Sequence, residues 1–101
     1  NLFNYNKNVG KTTAVSSYSP NGDSWIGASD MAGNVWEWTS TLYQPYPYDA
    51  NDGREDMDST NIRVLRGGSW GLNDSLARAA SRFDLNPDFR YDSFGFRCVQ
   101  E

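Results

Sequence analysis

Small polar residues that favour turns dominate this chain. Asp, Asn, Ser and Gly supply forty of its 101 residues and are spread along its whole length. A helical bundle would need runs of Ala, Leu, Glu and Lys at helical spacing, and this composition does not provide them. Aromatic residues make up 15% of the chain, whereas aliphatic residues are scarce. The combination predicts a single loop-rich domain with short strands and a core of aromatic rings.

The acidic net charge argues against one class of partner, nucleic acid. The formal net charge is −4 and the isoelectric point is near 4.6, whereas nucleic-acid binding needs a basic face, so nucleic acid is not expected as a partner. No apolar stretch approaches the length of a membrane span. The chain begins at Asn1 without an initiator methionine, so we expect a piece of a longer protein, and no residue pattern indicates its compartment.

The absence of histidine and the presence of a single cysteine restrict the chemistry most. They exclude Ser-His-Asp and Cys-His catalysis, zinc sites with histidine ligands and the iron site of two histidines and a carboxylate, unless another segment supplies the histidines. Cys98 lies in a Phe-rich run. This setting favours a buried small side chain, or one half of a disulfide to sequence outside this chain, over a reactive thiol.

Three segments have the composition of β-strands, namely residues 35–43, 62–65 and 94–99. In the first of them Trp36, Trp38 and Leu42 are expected on or near one face. The pair Gly67-Gly68 follows the second strand and marks a close approach of backbone. Residues 75–83 fit either a helical turn or a strand, and residues 1–24 and 44–61 are predicted to be irregular.

A turn followed by a strand brings two carboxylates and two carbonyls into one short segment. If the backbone between Asp30 and Glu37 curls, the carbonyls of Gly33 and Val35 also point inward. Ca²⁺ requires this mixture of carboxylate and carbonyl oxygens. From spacing alone the alternative is that Asp30 caps the turn and Glu37 pairs with an arginine.

The remaining charged clusters favour structural roles. The acidic loop at residues 49–58 fails the EF-hand pattern, because Gly53 is misplaced and no bidentate Glu closes the loop, so a solvated loop is expected. Asn73-Asp74-Ser75 matches an N-glycosylation acceptor by chance composition. Five arginines of the last third could grip an anionic ligand, but ion pairs and hydrogen bonds to loop carbonyls are the favoured interpretation. They are Arg66, Arg78, Arg82, Arg90 and Arg97.

Four motifs occur in a fixed order along the chain: DMAGNVWEWT at residues 30–39, RVLRGGSW at 63–70, RAASR at 78–82 and GFRC at 95–98. Together they resemble the C-terminal part of the formylglycine-generating enzyme (sulfatase-modifying factor) family. The resemblance covers residues 1–101, which correspond to less than half of a complete family domain. It therefore implies that the N-terminal part of the same domain is absent and is a partner of this chain. We expect residues 1–101 alone to be marginally stable, because aromatic surface would lie open.

The resemblance implies an irregular α+β fold like that of C-type lectins, with little regular secondary structure and a small antiparallel sheet. It also implies a structural Ca²⁺ ion held by Asp30, Gly33, Val35 and Glu37, the middle two through backbone carbonyls. A second calcium site of the family would begin at Asn1 and Leu2, but its acidic partner has no clear match here.

Catalytic members of the family oxidise a substrate cysteine with O₂, using two cysteine thiolates that hold Cu(I), and soft thiolates select this soft ion. Both cysteines fall shortly after the Gly-Gly-Ser-aromatic motif, and Leu72 stands where the first is expected. Neither cysteine is present. The resemblance therefore implies that no copper is bound, that no residue of this chain is catalytic and that the protein is a pseudoenzyme.

Three functions follow from the resemblance. The first is a non-catalytic recognition or accessory domain, as in members fused to bacterial kinases. The second is the C-terminal part of an iron-dependent, ergothioneine-type sulfoxide synthase whose histidines lie upstream, and the third is the variable ligand-binding domain of a diversity-generating retroelement protein. A protein or small-molecule ligand would contact residues 71–74, 83–86 and 91–94. The candidate contact residues are Leu72, Asn73, Asp74, Phe83, Phe89, Tyr91 and Phe94.

Overall fold

The computed structural model describes residues 2–100, which form one small sheet surrounded by loops. The strands are β1 (Trp36–Leu42), β2 (Arg63–Arg66), β3 (Arg82–Leu85) and β4 (Phe94–Gly95), and a 3-10 helix spans Asp74–Leu76. The expected C-type-lectin-like class, with little regular structure, is confirmed. None of the helical residues described forms a segment long and apolar enough to cross a membrane. The second calcium site at Asn1 and Leu2 lies partly outside the described residues.

The sheet has the order β3-β2-β1-β4. Strands β1, β2 and β3 pair antiparallel, with Trp38 opposite Leu65 and Leu65 opposite Phe83. Strand β4 joins the other edge of β1 in parallel, with Trp36 opposite Phe94. The sheet is therefore antiparallel over three strands and mixed at one edge.

Alternation along the strands gives the sheet one apolar and one polar face. The apolar face, which we call the aromatic face, carries Trp36, Trp38, Leu65, Phe83 and Phe94. Leu65 has no exposed surface and Trp36 is 4% exposed, and with Leu42 and Val64 they are the buried hydrophobic residues of the described chain. The core is therefore small, as the scarcity of aliphatic residues predicts.

The predicted strands agree with β1 and, displaced by one residue, with β2. Residues 75–83, for which the sequence allowed either a helical turn or a strand, contain parts of both. The 3-10 helix ends at Leu76 and β3 begins at Arg82. The predicted strand 94–99 is wrong beyond Gly95. Strand β4 ends at Gly95 although β1 continues to Leu42, because Arg97 donates instead to Glu37 and to the carbonyl oxygens of Ser29 and Asp30. Phe96 and Cys98 lie outside the sheet and are exposed.

Cys98 corrects a second expectation. Its thiol is free and exposed, so the buried position expected from the Phe-rich run is wrong. A disulfide to sequence outside this chain stays a prediction.

Candidate functional site

An apolar cavity of about 290 Å³ lies on the aromatic face beside Leu72. Trp36 of β1 and Phe83 of β3 stack across it with ring centroids 5.7 Å apart and planes inclined by 27°. Leu76 of the 3-10 helix lies on another side, and Ser69 and Ser93 supply the polar groups of the lining. A concave, mostly apolar site with a few polar groups is typical of small-molecule binding.

The turn that carries Leu72 is shaped by the paired glycines. Gly67 has a φ of +95° and Gly68 a φ of +74°, a region that side chains disfavour. A Cβ at Gly68 would lie 3.0 Å from the carbonyl oxygen of Leu76. The turn can therefore pass directly beneath the 3-10 helix, which places Leu72 and Leu76 at the same cavity.

Backbone hydrogen bonds hold this turn from outside the sheet. The Trp70 N–H donates to Asn34 O at 2.8 Å, and the Asn6 N–H donates to Leu72 O at 2.7 Å. The Asn34 N–H in turn donates to Asn4 O at 2.8 Å. The cavity wall is thus fixed by segments near residues 4–6 and 34, which is a rigid support for a binding site.

The predicted contact residues separate into three groups. Leu72 and Phe83 line the apolar cavity, and Leu72 also meets Tyr91 at a neighbouring cavity of about 230 Å³. Phe89, Tyr91 and Phe94 line a third cavity of about 390 Å³, with Phe94 5.9 Å from Phe89 and 6.1 Å from Tyr91 between ring centroids. These positions therefore form one continuous aromatic surface.

Asn73 and Asp74 do not share in this surface. Both are exposed at the start of the 3-10 helix, and neither lines the three cavities. Residues that sequence reasoning missed are Trp36, Leu76 and Ser69. Trp36 was assigned to the core only, and the contact of Leu76 with the turn depends on the two glycines, so no local pattern indicated either role.

The lining offers little reactive chemistry. Arg82 borders the cavity, but its guanidinium lies on the polar face against Tyr43 and Tyr46, and Ser69 has no base beside it in a chain without histidine. Leu72 cannot supply a thiolate, and Cys98 is not in the lining. The residues of this site do not fit a cuprous ion. They can bind and orient an apolar group.

The four predicted calcium ligands do converge. Asp30, Gly33, Val35 and Glu37 all line one cavity of about 220 Å³. The backbone curls as the spacing requires, with φ of +55° at Asp30, +72° at Gly33 and +64° at Asn34. By residue type the set fits Ca²⁺, because two carboxylate side chains and the two residues expected to offer carbonyls line one cavity.

The same carboxylates also have partners within the chain. Arg97 pairs with Glu37 at 2.6 Å and donates to the carbonyl oxygens of Ser29 and Asp30 at 2.8 and 2.7 Å. Asp30 Oδ2 accepts a 2.7 Å hydrogen bond from the Ser16 N–H. These contacts agree with the alternative interpretation, in which Asp30 caps the turn and Glu37 pairs with an arginine. The position of the four residues at one cavity therefore does not decide between a calcium site and this structural role.

The irregular segment at residues 44–61, which we call the arginine loop, is exposed over most of its length, as a solvated loop should be. Two arginines are buried against it: Arg54 within the loop is 4% exposed, and Arg63, the first residue of β2, is 8% exposed. Arg63 donates to the carbonyl oxygens of Asp56 and Ser59 at 2.9 and 2.7 Å, and also to those of Ser40 and Met57. The loop is therefore solvated as predicted, but two buried cations bind its carbonyls, which the sequence did not indicate.

Charges and hydrogen bonds within the arginine loop lower the pKa of Asp52 and raise those of Arg54 and Tyr48. Arg54 donates to Asp52 and pairs with it at 2.6 Å, which holds the pKa of that carboxyl below its usual 3.8. Tyr48 donates to Glu55 at 3.0 Å, and this hydrogen bond raises the pKa of the phenol above 10.0. The acids do not gather as in an EF-hand, and residues 2–100 hold no cluster of three His, Cys, Asp or Glu side chains suited to a metal.

The structural interpretation of the arginines agrees with three of the five. Arg66 donates to Ser81 O at 3.1 Å, Arg82 to Gln44 O at 2.6 Å, and Arg97 to the carbonyls named above. The side chains of Arg78 and Arg90 are exposed.

Comparison with known proteins places this geometry in a family. The model of the sulfatase-modifying factor enzyme 1-like domain matches residues 1–101. The inactive C-alpha-formylglycine-generating enzyme 2 of Mus musculus is 40% identical over 78 residues, which are 72% of this chain and 21% of that protein. The formylglycine-generating enzyme of Streptomyces coelicolor is 40% identical over 96 residues, which are 89% of this chain and 29% of that protein.

A solved structure confirms the fold. Treponema denticola variable protein 1 superimposes with a TM-score of 0.73 at 31% identity, over 95% of this chain and 34% of that one. The chain thus spans 21% to 34% of the length of these three proteins. Identity is the same for a relative named inactive and for one named as an enzyme, so overall similarity does not separate the two kinds of function.

Proposed function

The chain belongs to the family of sulfatase-modifying factor enzyme 1-like domains, and on that premise we propose that it is a non-catalytic recognition domain that binds its ligand at the Leu72 cavity. One observation carries the proposal. Leu72 stands where the family resemblance places the first copper thiolate, and its side chain lines an apolar cavity instead. The site has exchanged a metal ligand for a hydrocarbon surface.

The chemistry of the lining indicates the class of ligand. Trp36, Phe83, Leu72 and Leu76 offer apolar contact, and the hydroxyls of Ser69 and Ser93 are the polar side-chain groups of the lining. A volume of about 290 Å³ lies at the lower end of the range for ligand pockets. A small apolar group, free or on a peptide side chain, suits the cavity best.

Two measurements test this proposal on the purified protein. The first adds Cu(I), O₂ and a cysteine-containing sulfatase peptide, and mass spectrometry follows the peptide. We expect no formylglycine, and its formation would overturn the proposal.

The second measurement uses indole as an apolar probe and follows the methyl resonances of Leu76 and the indole N–H of Trp36, both in the lining, by NMR. We expect saturable shifts that are lost in Leu72→Trp, where a larger side chain fills the space. Asn73→Trp is the matched control, because Asn73 lies outside the lining. Shifts of equal size in Leu72→Trp and the unaltered protein would count against the cavity as the site.

A second candidate is favoured by the likeness to Treponema denticola variable protein 1. Phe89 and Tyr91 are 49% and 66% exposed beside Phe94, as expected for a surface that displays variable contact residues. A neighbouring near-copy of the terminal coding segment that differs at adenines would support this alternative. An upstream domain rich in histidine would instead favour the iron-dependent enzyme, with this chain framing its pocket.

We also propose that Ca²⁺ binds the turn formed by Asp30, Gly33, Val35 and Glu37, supported by their convergence on one cavity. Since Arg97 shares Glu37, Ca²⁺ and the guanidinium compete for one carboxylate. Millimolar Ca²⁺ is expected to raise the melting temperature, because a ligand that binds only the folded state stabilises it.

Glu37→Gln is expected to abolish this rise, and Asp88→Asn, at an exposed carboxylate elsewhere, is expected to keep it. No stabilisation by Ca²⁺ over Mg²⁺, or the same stabilisation in Glu37→Gln, would sink the calcium site.

A further inference from the structure

The polar face of the sheet holds a cavity of about 160 Å³ that the function above does not use. Arg66 of β2 and Arg82 of β3 line it, together with Arg54 from the arginine loop. Alternation places both strand arginines on the side of the sheet away from Leu65 and Phe83. The chain carries a net charge of −4, so a cavity lined by three cations has the opposite sign of charge from the chain as a whole.

Two of these cations have no carboxylate partner. Arg66 and Arg82 are directly opposite each other in the β2–β3 register, and like charges in that position destabilise a sheet. Residues 2–100 form two ion pairs, Arg54–Asp52 and Arg97–Glu37. Neither includes Arg66 or Arg82, although Glu37 is opposite Arg66 along β1. The charge of this arginine pair is therefore not neutralised by a contact within the described chain.

Tyr46 holds the two guanidinium groups side by side. Its ring lies 4.1 Å from the guanidinium carbon of Arg82, and its hydroxyl accepts a 2.9 Å hydrogen bond from Arg66. Tyr43 contacts the Arg82 guanidinium at 4.3 Å. Stacking fixes the plane of a guanidinium without using its N–H donors. The two guanidinium groups are therefore already oriented before a ligand binds. Binding of a ligand then costs little further side-chain entropy.

Most donors of Arg82 are uncommitted. A guanidinium carries five N–H donors, and Arg82 makes a single hydrogen bond among those described, to Gln44 O. The hydroxyls of Thr41 and Tyr48, which also line the cavity, both contact Glu55. Glu55 accepts the hydrogen bonds of these two hydroxyl groups and forms no ion pair with Arg66 or Arg82. The groups that accept from Arg66 and Arg82 are carbonyl oxygens and the Tyr46 hydroxyl, all of them neutral, so no carboxylate balances the two cations on this side of the cavity.

We propose that this cavity is a binding site for a tetrahedral oxyanion, a phosphate or sulfate group, held between Arg66 and Arg82. The free donors belong to two guanidinium groups on neighbouring strands, β2 and β3, because Thr39 and Thr41 of β1 donate to Val64 O and to Glu55. A tetrahedral anion can present oxygens to both guanidinium groups at once, whereas a carboxylate presents two oxygens in one plane. Arg66 and Arg82 would form bidentate, charge-assisted hydrogen bonds to it.

Calorimetric titration of the purified protein tests the proposal. Sodium phosphate, sodium sulfate and sodium acetate are titrated separately in chloride buffer of constant ionic strength, and the Arg Nε–H resonances are followed by NMR. We expect phosphate, sulfate or both to bind with a millimolar dissociation constant and to shift the Arg66 and Arg82 resonances. Acetate is expected to bind at least tenfold more weakly. The phosphate and sulfate arms identify which anion is preferred.

Three variants decide whether the arginine pair is responsible. Arg82→Gln is expected to weaken binding at least tenfold. Tyr46→Phe keeps the stacked ring but removes the acceptor of Arg66, and a loss of two- to fivefold is expected. Arg78→Gln removes the same charge from an exposed position outside the lining and is expected to bind as the unaltered protein does. Near-ultraviolet circular dichroism checks that each variant is folded.

Several results would overturn the proposal. They are equal binding of acetate and phosphate, no binding above the chloride control, and the same affinity in Arg82→Gln as in the unaltered protein. An equal loss in Arg78→Gln would assign the effect to net charge alone. If Arg82→Gln does not fold, unchanged affinity in Tyr46→Phe together with unshifted Arg66 resonances overturns it equally.

Discussion

The arginine loop and the aromatic face are stabilised by different kinds of contact, and these contacts are complete to different extents. The loop has no strand or helix and is mostly exposed, yet Arg54 within it and Arg63 beside it, at the start of β2, are buried and satisfy its carbonyls. The aromatic face belongs to the only sheet of the described chain, yet Phe83 is 44% exposed and the neighbouring Tyr91 is 66% exposed. Regular structure and completeness of packing are thus separated in this molecule.

The contrast follows from the physics of the two kinds of contact. Hydrogen bonds are directional, and one guanidinium can satisfy several carbonyls of its own loop. Apolar burial is non-directional and needs a second surface of matching area, which residues 2–100 do not provide for the aromatic rings. The incomplete region is therefore the one suited to meet a ligand or another part of the domain.

The largest expected effect tests the loop. Arg63→Met removes hydrogen bonds to four carbonyls, and we expect the free energy of unfolding to fall by about 3–5 kcal/mol. Urea denaturation measures the change. Arg78→Met is the matched control and is expected to change stability by less than about 0.5 kcal/mol. A loss below about 1 kcal/mol for Arg63→Met would mean that the loop is not held by this side chain.

A smaller effect is expected on the aromatic face. Phe83→Ala removes the ring stacked on Trp36, but because nearly half of that ring is already exposed, we expect a loss of about 1–2 kcal/mol instead of the 3–5 kcal/mol of a fully buried Phe. Phe96→Ala, at a ring that is 76% exposed, is the control and should lose less. If Phe83→Ala were as damaging as Arg63→Met, the contrast between the regions would fail.

A smaller effect again is expected from pH, and it belongs to the loop alone. Because Arg54 lowers the pKa of Asp52 in the folded protein, the stabilisation is present above the ordinary carboxyl value near 3.8 and is lost as pH falls below it. Asp52→Asn should remove this part of the acid dependence. Melting temperatures of both proteins from pH 6 downward should therefore converge in acid, and a constant difference across that range would contradict the assignment.

The alkaline side has the opposite sign. The pKa of Tyr48 is raised above 10.0 by its hydrogen bond to Glu55, so this stabilisation is present below pH 10 and is lost as pH rises above it. Tyr48→Phe should make the melting temperature less sensitive to pH in that range. An unchanged alkaline dependence would mean that the phenol does not hold the loop.

The smallest effect on stability is expected at Trp25, which is 98% exposed. Trp25→Ser should change the free energy of unfolding by less than about 0.5 kcal/mol, because the ring is already exposed in the folded state and unfolding exposes little more of it. Size-exclusion chromatography over a concentration series should show less self-association than in the unaltered protein. A loss of stability above about 1 kcal/mol would show that the ring is packed.

Local patterns predicted the elements whose cause is local. Strand β1 was found because aromatic and β-branched residues follow a turn, and the curl at Asp30–Asn34 was found from its glycine and small residues. The length of the last strand was not predicted, because alternation continues after Gly95 but pairing with β1 does not, and Arg97 binds the carbonyls of Ser29 and Asp30 instead. Pairing depends on what the rest of the chain offers, and no local pattern contains that information.

The sites show the same division. Leu72 and Phe83 were expected at a ligand surface from the position of one motif, and both line the apolar cavity. Asn73 and Asp74 were placed there by adjacency in sequence, but the 3-10 helix turns them away. Arg54 and Arg63 were missed because burial of an arginine depends on carbonyls of distant residues such as Ser40 and Pro45. The calcium ligands converge as predicted, and whether they hold the ion stays a prediction.

The parallel pairing of β4 with β1 has a consequence for the order of assembly. Strands β1, β2 and β3 are sequential neighbours and can pair as soon as they leave the ribosome, whereas β4 must return past both later strands to reach the free edge of β1. Contacts of such long range are slow to form. During synthesis the nascent sheet therefore exposes its β1 edge until Phe94 and Gly95 arrive, and this interval is when a chaperone or another chain has access to it.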